Sequence, residues 1–200
     1  MTVTGFILAG GQSSRMGRDK ALLPVGSQTL IEVVLGRIRP LVEQVVVVAS
    51  PRNARQLQER LAHTVLTDLV PGCGPLMGVY TGLMHTETAL NLFVPCDMPW
   101  IEPRLIEDLV RRCQGDTQVV AGLHPLEGAC PFPLVCDVAA CRTIGALLDQ
   151  QARSLQALLR TPHAQLVAVQ EPGLWQSFTN VNTLSDYAKL HDETTLAPRP

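Results

Sequence analysis

The run Leu8-Ala9-Gly10-Gly11-Gln12-Ser13-Ser14-Arg15-Met16-Gly17-Arg18-Asp19-Lys20 holds the residue types that grip phosphate. Gly10 and Gly11 carry no Cβ, so a ligand can come close to their N–H groups. Ser13 and Ser14 add hydroxyl donors. Arg15, Arg18 and Lys20 outnumber the one acid, Asp19, although the whole chain has a net charge of −2. A triphosphate is the natural partner of such a local field. Downstream, Val94-Pro95-Cys96-Asp97-Met98-Pro99 puts one carboxylate just past an apolar run, between prolines that keep it out of a ladder or a helix. An acid held rigidly opposite a phosphate loop suits magnesium (Mg²⁺). That ion takes one or two carboxylates together with substrate phosphates and water. Asp68-Leu69-Val70-Pro71-Gly72-Cys73-Gly74-Pro75-Leu76-Met77-Gly78 forms a second glycine-rich loop, and Gly74-Pro75 reads as the start of a helix.

The spacing excludes two commoner phosphate loops. The P-loop needs Gly-x4-Gly-Lys-Ser/Thr, whereas five residues separate Gly11 from Gly17 and Arg-Asp-Lys follows. The dinucleotide fingerprint Gly-x-Gly-x-x-Gly is absent because Gly10 and Gly11 are adjacent. The loop instead resembles the signature of the nucleotidylyltransferases: Leu-Ala-Gly-Gly, then Ser-x-Arg-Met-Gly, then Asp-Lys. Its Gly-Gly and Asp-Lys details are most similar to the molybdenum cofactor guanylyltransferases, whereas relatives using CTP tend to carry Ala-Gly. The resemblance continues through Asp68 with Gly-Pro-Leu-x-Gly, through Asp97-x-Pro, and through Asn180-Val181-Asn182-Thr183. It is looser at Gln151-Ala152-Arg153-Ser154-Leu155.

This resemblance implies a single-domain, three-layer α/β fold of the nucleotide-diphospho-sugar transferase type, with a mostly parallel sheet and a Rossmann-like N-terminal half. The implied reaction transfers GMP from GTP to the phosphate of Mo-molybdopterin and releases pyrophosphate. Leu8, Ala9, Gly10, Gly11, Lys20, Asp68, Gly74 and Asp97 are then expected to bind nucleotide. Lys20, Arg15 and Asp97 are expected to be catalytic, with Asp97 holding Mg²⁺. Asn180, Asn182 and Arg153 are expected to bind the acceptor. Asp68 or a loop carbonyl would accept from the guanine N–H groups, and a capping role for Asp68 is the plainer alternative. Transient contact with molybdoenzymes or cofactor chaperones is also implied. Two departures stand out. Val48-Ala49-Ser50 lacks the asparagine often found at the end of the second strand, and residues 126–133 match the family's Pro-Leu segment only loosely. The alternatives are a cytidylyl- or sugar-1-phosphate nucleotidylyltransferase, a GTP-binding module without turnover, and a nicotinamide oxidoreductase. The missing fingerprint disfavours the last, and the pairing of Lys20 with Asp97 argues against a pure binder.

The elements that must position these residues alternate. Apolar periodicity predicts strands over 4–8, 45–49, 64–66, 90–95, 118–123, 132–135 and 166–169. It predicts helices over 29–41, 53–61 (with Asn53 as a cap), 75–85, 103–113, 138–150, 154–160 and 184–191. Such alternation means a mostly parallel sheet covered on both faces, with ligands beyond the C-terminal strand ends. Residues 1–191 read as the domain, and 192–200, with two prolines and no apolar stripe, as a disordered tail.

Composition sets the remaining bounds. Apolar content of 46% with 17% charge describes a globular chain, and near-neutral charge gives no sign of a nucleic-acid surface. No run reaches the length of a membrane span. No Lys or Arg precedes Arg15, so a leader's basic region is missing and a cytoplasmic protein is expected. The six cysteines form no Cys-x-x-Cys pair and read as free thiols, mostly buried, with Cys73 and Cys96 partly exposed beside the loops. His124 lies near a strand end on the acceptor side, where it could touch an anion. Trp100 and Trp175 either line the acceptor pocket or simply pack.

Overall fold

The computed structural model describes residues 2–10 and 19–190. Gly11, Ser13, Ser14, Arg15 and Arg18 of the loop, and the tail expected at 192–200, lie outside the described residues. The elements are β1 (Val3–Ala9), β2 (Pro24–Val25), β3 (Gln28–Thr29), α1 (Leu30–Ile38), β4 (Gln44–Ala49), α2 (Ala54–Arg60), β5 (Thr64–Thr67), α3 (Pro75–His85), β6 (Leu90–Pro95), α4 (Pro103–Arg112), β7 (Val119–His124), β8 (Gly128–Asp137), α5 (Ala140–Asp149), α6 (Leu155–Leu159), β9 (Ala164–Ala168) and α7 (Leu184–Lys189). A 3-10 stretch at Pro172–Phe178 precedes the last extended segment.

Seven strands form one sheet in the order β5-β4-β1-β6-β8-β7-β9, and β2 and β3 make a separate small hairpin. β1 is parallel to both β4 and β6, and β7 is parallel to β9. Only β8 runs the other way, antiparallel to β6 and β7. The chain moves outward from β1 through β4 to β5, then crosses back to place β6 on the other side of β1. That reversal is a topological switch point, where open α/β sheets bind ligands.

Two apolar layers sandwich the sheet. Ile31, Val34 and Ile38 of α1 and Leu105, Ile106 and Leu109 of α4 pack on one face, against Ile7, Val47 and Val94. Leu76, Val79 and Leu83 of α3, Ile144 of α5 and Leu158 of α6 pack on the other, against Phe6, Val48 and Phe93. Phe6 and Phe93 stack with ring centroids 4.9 Å apart. Gly82 of α3 faces this stack, where a Cβ would stand 2.6 Å from Phe93 and 3.0 Å from Phe6. A third, smaller cluster joins Leu23, Val25, Leu30, Trp100, Val181 and Leu190. It places Trp100 in the core and anchors the C-terminal segment beside the hairpin. No described helix is long and apolar enough to cross a membrane.

Two local expectations change, and two short elements appear that are not expected from the sequence. Asn53 stands at the N-cap of α2 but makes no side-chain cap. Its Nδ2 donates to Ala9 O at 2.9 Å and its Oδ1 accepts from Ser50 Oγ at 2.8 Å, so it ties the end of β1 to the end of β4. A long-range buried partner outcompetes the local cap. The strand expected at 132–135 extends over Gly128–Asp137, because pairing with β7 carries it past the apolar core through half-buried residues that show no alternation. Finally, the β2–β3 hairpin and the 172–178 stretch are too short or too irregular for any periodicity to reveal.

Candidate active site

The C-terminal ends of β1, β5 and β6 converge on a cleft of about 370 Å³. Leu8, Ala9, Gly10, Asp19, Lys20, Asp68, Gly74 and Asp97 all line it. β1 and β6 are neighbours in the sheet, and Cys96 N continues their ladder by donating to Leu8 O at 3.0 Å. Asp97 therefore emerges just beyond the last rung, beside the start of the glycine loop.

Lys20 crosses the cleft. Its Nζ donates to Asp97 Oδ2 at 2.8 Å and to Asn182 Oδ1 at 2.9 Å. The paired side chains are 18% and 14% exposed, so this ion pair sits largely out of water. Asp97 Oδ1 is buried and has no hydrogen-bond partner among the described residues. A desolvated carboxylate oxygen without a donor is costly and is a position that a cation would satisfy. The described residues contain no group of three or more His, Cys, Asp or Glu side chains able to hold a metal. An ion here would have to draw its other ligands from substrate phosphates and water, as Mg²⁺ commonly does. Asp97 thus fits the cation on donor chemistry.

Asp68 stands at the end of β5, and its N–H donates to Ala49 O at 2.8 Å. Its Oδ1 accepts from the buried Thr81 hydroxyl at 3.1 Å, and that same hydroxyl accepts from Leu69 N at 3.2 Å. Burial pushes the Asp68 carboxyl above the usual range, against hydrogen bonds that lower it. Gly74 has φ +81°, and a Cβ there would stand 2.7 Å from Arg153 O. Only glycine satisfies both the left-handed backbone and the contact. Pro75 then opens α3, whose first turn borders the cleft at Gly74, Pro75 and Gly78.

A second cavity of about 430 Å³ is lined by His124, Glu127, Trp175, Phe178, Asn180 and Asn182, among others. The extended segment 179–183 supplies its asparagines. Val181 N donates to Asp97 O at 2.8 Å, and the Val181 side chain is fully buried. The two asparagines flanking it turn to the same side, as the two-residue period of extended chain requires. Thr183, not Asn182, caps α7, accepting from Asp186 N at 3.1 Å. The Asn182 amide is left to meet Lys20, so it links the second cavity to a residue that lines the first.

A family model, that of the MobA-like NTP transferase domain, matches residues 5–168. The chain belongs to this family. As a MobA-like NTP transferase it is an enzyme of the nucleotidyltransferase class. A relative from Yersinia pestis (strain Pestoides F), named molybdenum cofactor guanylyltransferase, is 34% identical over 187 residues, 92% of each chain. The crystal structure of molybdopterin-guanine dinucleotide biosynthesis protein A from Archaeoglobus fulgidus superposes with a TM-score of 0.80 at 23% identity, over 96% of this chain and 98% of that one. A Methanothermobacter nucleotidyl transferase superposes at 0.77 with 19% identity, over 96% and 97%.

Within this MobA-like NTP transferase, Gly11 and Arg15 lie outside the described residues. Leu8, Ala9, Gly10, Lys20, Asp68, Gly74 and Asp97 come together in one cleft. Asn180 and Asn182 come together in the adjoining cavity. Arg153 stands apart from the asparagines: it is exposed, and its backbone packs against Gly74 on the nucleotide-loop side. All six cysteines are free. Cys73 is partly exposed as expected, but Cys96 is buried beneath the cleft. Burial first, then the charge of Asp97, drives the Cys96 thiol far above its ordinary value, so it is inert. Sequence reasoning took Asp19 only as a counter-charge. It lines the cleft, and its Oδ1 accepts from Ala21 N at 3.0 Å, which sets the turn that presents Lys20. Thr81 and Asn53 were also missed as positioning groups, since neither carries a motif. Trp175 lines the second cavity while its Nε1 donates to Val169 O at 2.9 Å.

Proposed function

We propose that the chain transfers GMP from GTP to the terminal phosphate of molybdopterin, yielding the guanine dinucleotide cofactor and pyrophosphate. The Lys20–Asp97–Asn182 contact carries this reading. It joins the phosphate-loop cleft to a neighbouring cavity, as a two-substrate transfer requires. The family and the name of the Yersinia relative support the choice of substrates.

The reaction needs no protein nucleophile. An acceptor phosphate oxygen attacks the α-phosphorus in line, the bond to the bridging oxygen breaks, and pyrophosphate leaves. Catalysis is then positioning and charge neutralisation. The Gly10 end of β1 and the first turn of α3 offer backbone N–H groups to the triphosphate. Asp97 would hold Mg²⁺, which when bound neutralises phosphate charge as it builds. Lys20 is shared by Asp97 and Asn182, and on substrate entry it turns to the phosphates and offsets the charge of the leaving group. Arg15 is proposed to help it. Asp68, held by Thr81, accepts from the guanine edge. The deciding experiment is pyrophosphate release with GTP, CTP, ATP and UTP, each with Mg²⁺, with and without molybdopterin. Release only with GTP plus molybdopterin is expected. Preference for CTP would remove the guanylyl assignment and leave the fold standing.

A further inference from the structure

The second cavity contains a polar device that the transfer chemistry above leaves unused. His124 ends β7 and is only 7% exposed. Its Nδ1 accepts two backbone N–H groups, from Leu126 and Glu127, each at 3.2 Å. A nitrogen that accepts twice carries no proton, so the ring hydrogen is on Nε2. Nε2 has no hydrogen-bond partner among the described residues, and the ring borders the cavity. The ring is also held in orientation. Trp175 lies edge-on at 5.1 Å and Phe178 at 5.9 Å. Phe178 in turn presses onto Gly122, where a Cβ would stand 2.5 Å from its ring. Glu127, from the same turn, lines the same cavity.

A fixed donor and a carboxylate beside an aromatic wall form a reader for one kind of heterocycle edge. A 2-amino-4-oxopyrimidine ring offers two adjacent N–H donors and one carbonyl. The Glu127 carboxylate can accept both N–H groups, and His124 Nε2–H can donate to the carbonyl. Pterins and guanine share this edge. We infer that the His124–Glu127 pair binds the pterin head of the acceptor, with Trp175 and Phe178 as its wall. The choice of pterin over guanine rests on the proposed function and on Asn182. Asn182 reaches from this cavity to Lys20, so a ligand here would present its phosphate to the cleft while the nucleotide's own base lies on the Asp68 side.

The test separates this inference from the reaction by measuring binding without turnover. Titration calorimetry and ligand-observed NMR on the full chain would use 6-hydroxymethylpterin, the matching lumazine (2-oxo in place of 2-amino) and guanosine. The pterin should bind, with the lumazine about 10–100-fold weaker, the worth of hydrogen bonds to a charged group. Guanosine should not displace the pterin. Glu127→Gln, on an exposed turn, should weaken pterin binding about 10-fold or more and raise KM for molybdopterin, with KM for GTP unchanged. His124→Gln should act in the same direction, and a thermal melt of each variant checks folding. Equal affinity for pterin and lumazine, no pterin binding at millimolar concentration, displacement by guanosine, or an unaffected Glu127→Gln would each overturn the inference. Pterin binding with no pyrophosphate release from any nucleotide would instead sink the proposed reaction.

Discussion

Replacing Asp97 by asparagine keeps the side chain's volume and one carbonyl oxygen while removing the charge. Two losses follow, and the structure sizes each. The first is stability. Lys20 Nζ lies 2.8 Å from Asp97 Oδ2, with both side chains less than a fifth exposed. Stripping one partner from a fully buried pair costs about 3–5 kcal/mol. Here the new amide oxygen still accepts from Lys20, Asn182 Oδ1 stays at 2.9 Å, and some water reaches the pair. The loss should therefore be about 1–2 kcal/mol, or roughly 2–8 °C in Tm for a domain of this size. A domain stable by about 5–15 kcal/mol remains folded after that change. The second loss is catalytic. Without the carboxylate proposed to hold the cation, turnover should fall by at least about three orders of magnitude, or about 4 kcal/mol of transition-state stabilisation.

The two losses separate experimentally. Mg²⁺-dependent pyrophosphate release reads the second, and a thermal melt of the same preparation reads the first. GTP should still raise the melting temperature of Asp97→Asn, less than for wild type, because the backbone donors of the loop remain. A Lys20→Met/Asp97→Asn double variant should be less destabilised than the sum of the singles, since neither group is then left unpaired. Near wild-type turnover of Asp97→Asn with unchanged Mg²⁺ dependence would refute the reasoning.

Further outcomes follow from neighbouring contacts. Lys20→Ala should lower kcat/KM by about 10²-fold or more, the worth of a charge-assisted phosphate contact in a dry site, read from steady-state kinetics. GTP with Mg²⁺ should raise Tm more than equal concentrations of CTP, ATP or UTP, as differential scanning fluorimetry would show. Gly82→Ala drives a Cβ into the Phe6–Phe93 stack and should cost about 1–3 kcal/mol in a denaturant titration, with kcat of the folded enzyme unchanged. The Asp68 carboxyl titrates above its ordinary value of 3.8 in the folded chain, so its ionisation opposes folding once pH exceeds the folded-state value. Asp68→Asn should accordingly raise the Tm of the ligand-free protein at neutral pH, lose that advantage below about pH 4, and show a smaller Tm gain with GTP.

Legibility in the sequence followed the sheet. Val45–Ala49 is a continuous apolar run and Leu90–Pro95 is broken only by the buried Asn91, because both faces of those strands are covered, and buried parallel strands announce themselves in that way. Pro75 and Pro103 mark helix starts that the structure keeps at those residues. Lys20, Asp68 and Asp97 could be placed because ligand loops in this architecture follow strand C-termini, so knowing the strand end locates the side chain. The acceptor half offered no such rule. Half-buried residues from Gly128 to Phe132 hid the first half of β8. The stretch that brings Trp175 and Phe178 to the second cavity is 3-10 helix, which leaves no 3.6-residue stripe to find. Asn53 shows the limit from the other side. Its residue type and position said cap, and a partner forty-four residues away decided otherwise.

The active constellation is closed last by the part of the chain that was hardest to read. Lys20 and Asp97 are 77 residues apart, and Lys20 and Asn182 are 162 apart. The first pair is brought together by β1 and β6 lying side by side in the sheet. The second depends on a segment that belongs to no sheet and whose middle is anchored by Val181, with its N–H on Asp97 O and its side chain in the cluster with Trp100 and Leu23. Ordering an extended strip costs about 1–2 kcal/mol per residue. One buried valine and one backbone hydrogen bond supply only part of that, and the capping box of α7 and the Tyr187 hydroxyl on Pro24 O supply more. The cleft at the strand ends is thus built into the rigid sheet, whereas Asn182, which links it to the second cavity, is held by a few contacts outside the sheet. That division matches a transfer enzyme in which the triphosphate needs a fixed cradle and a bulky acceptor must enter and leave.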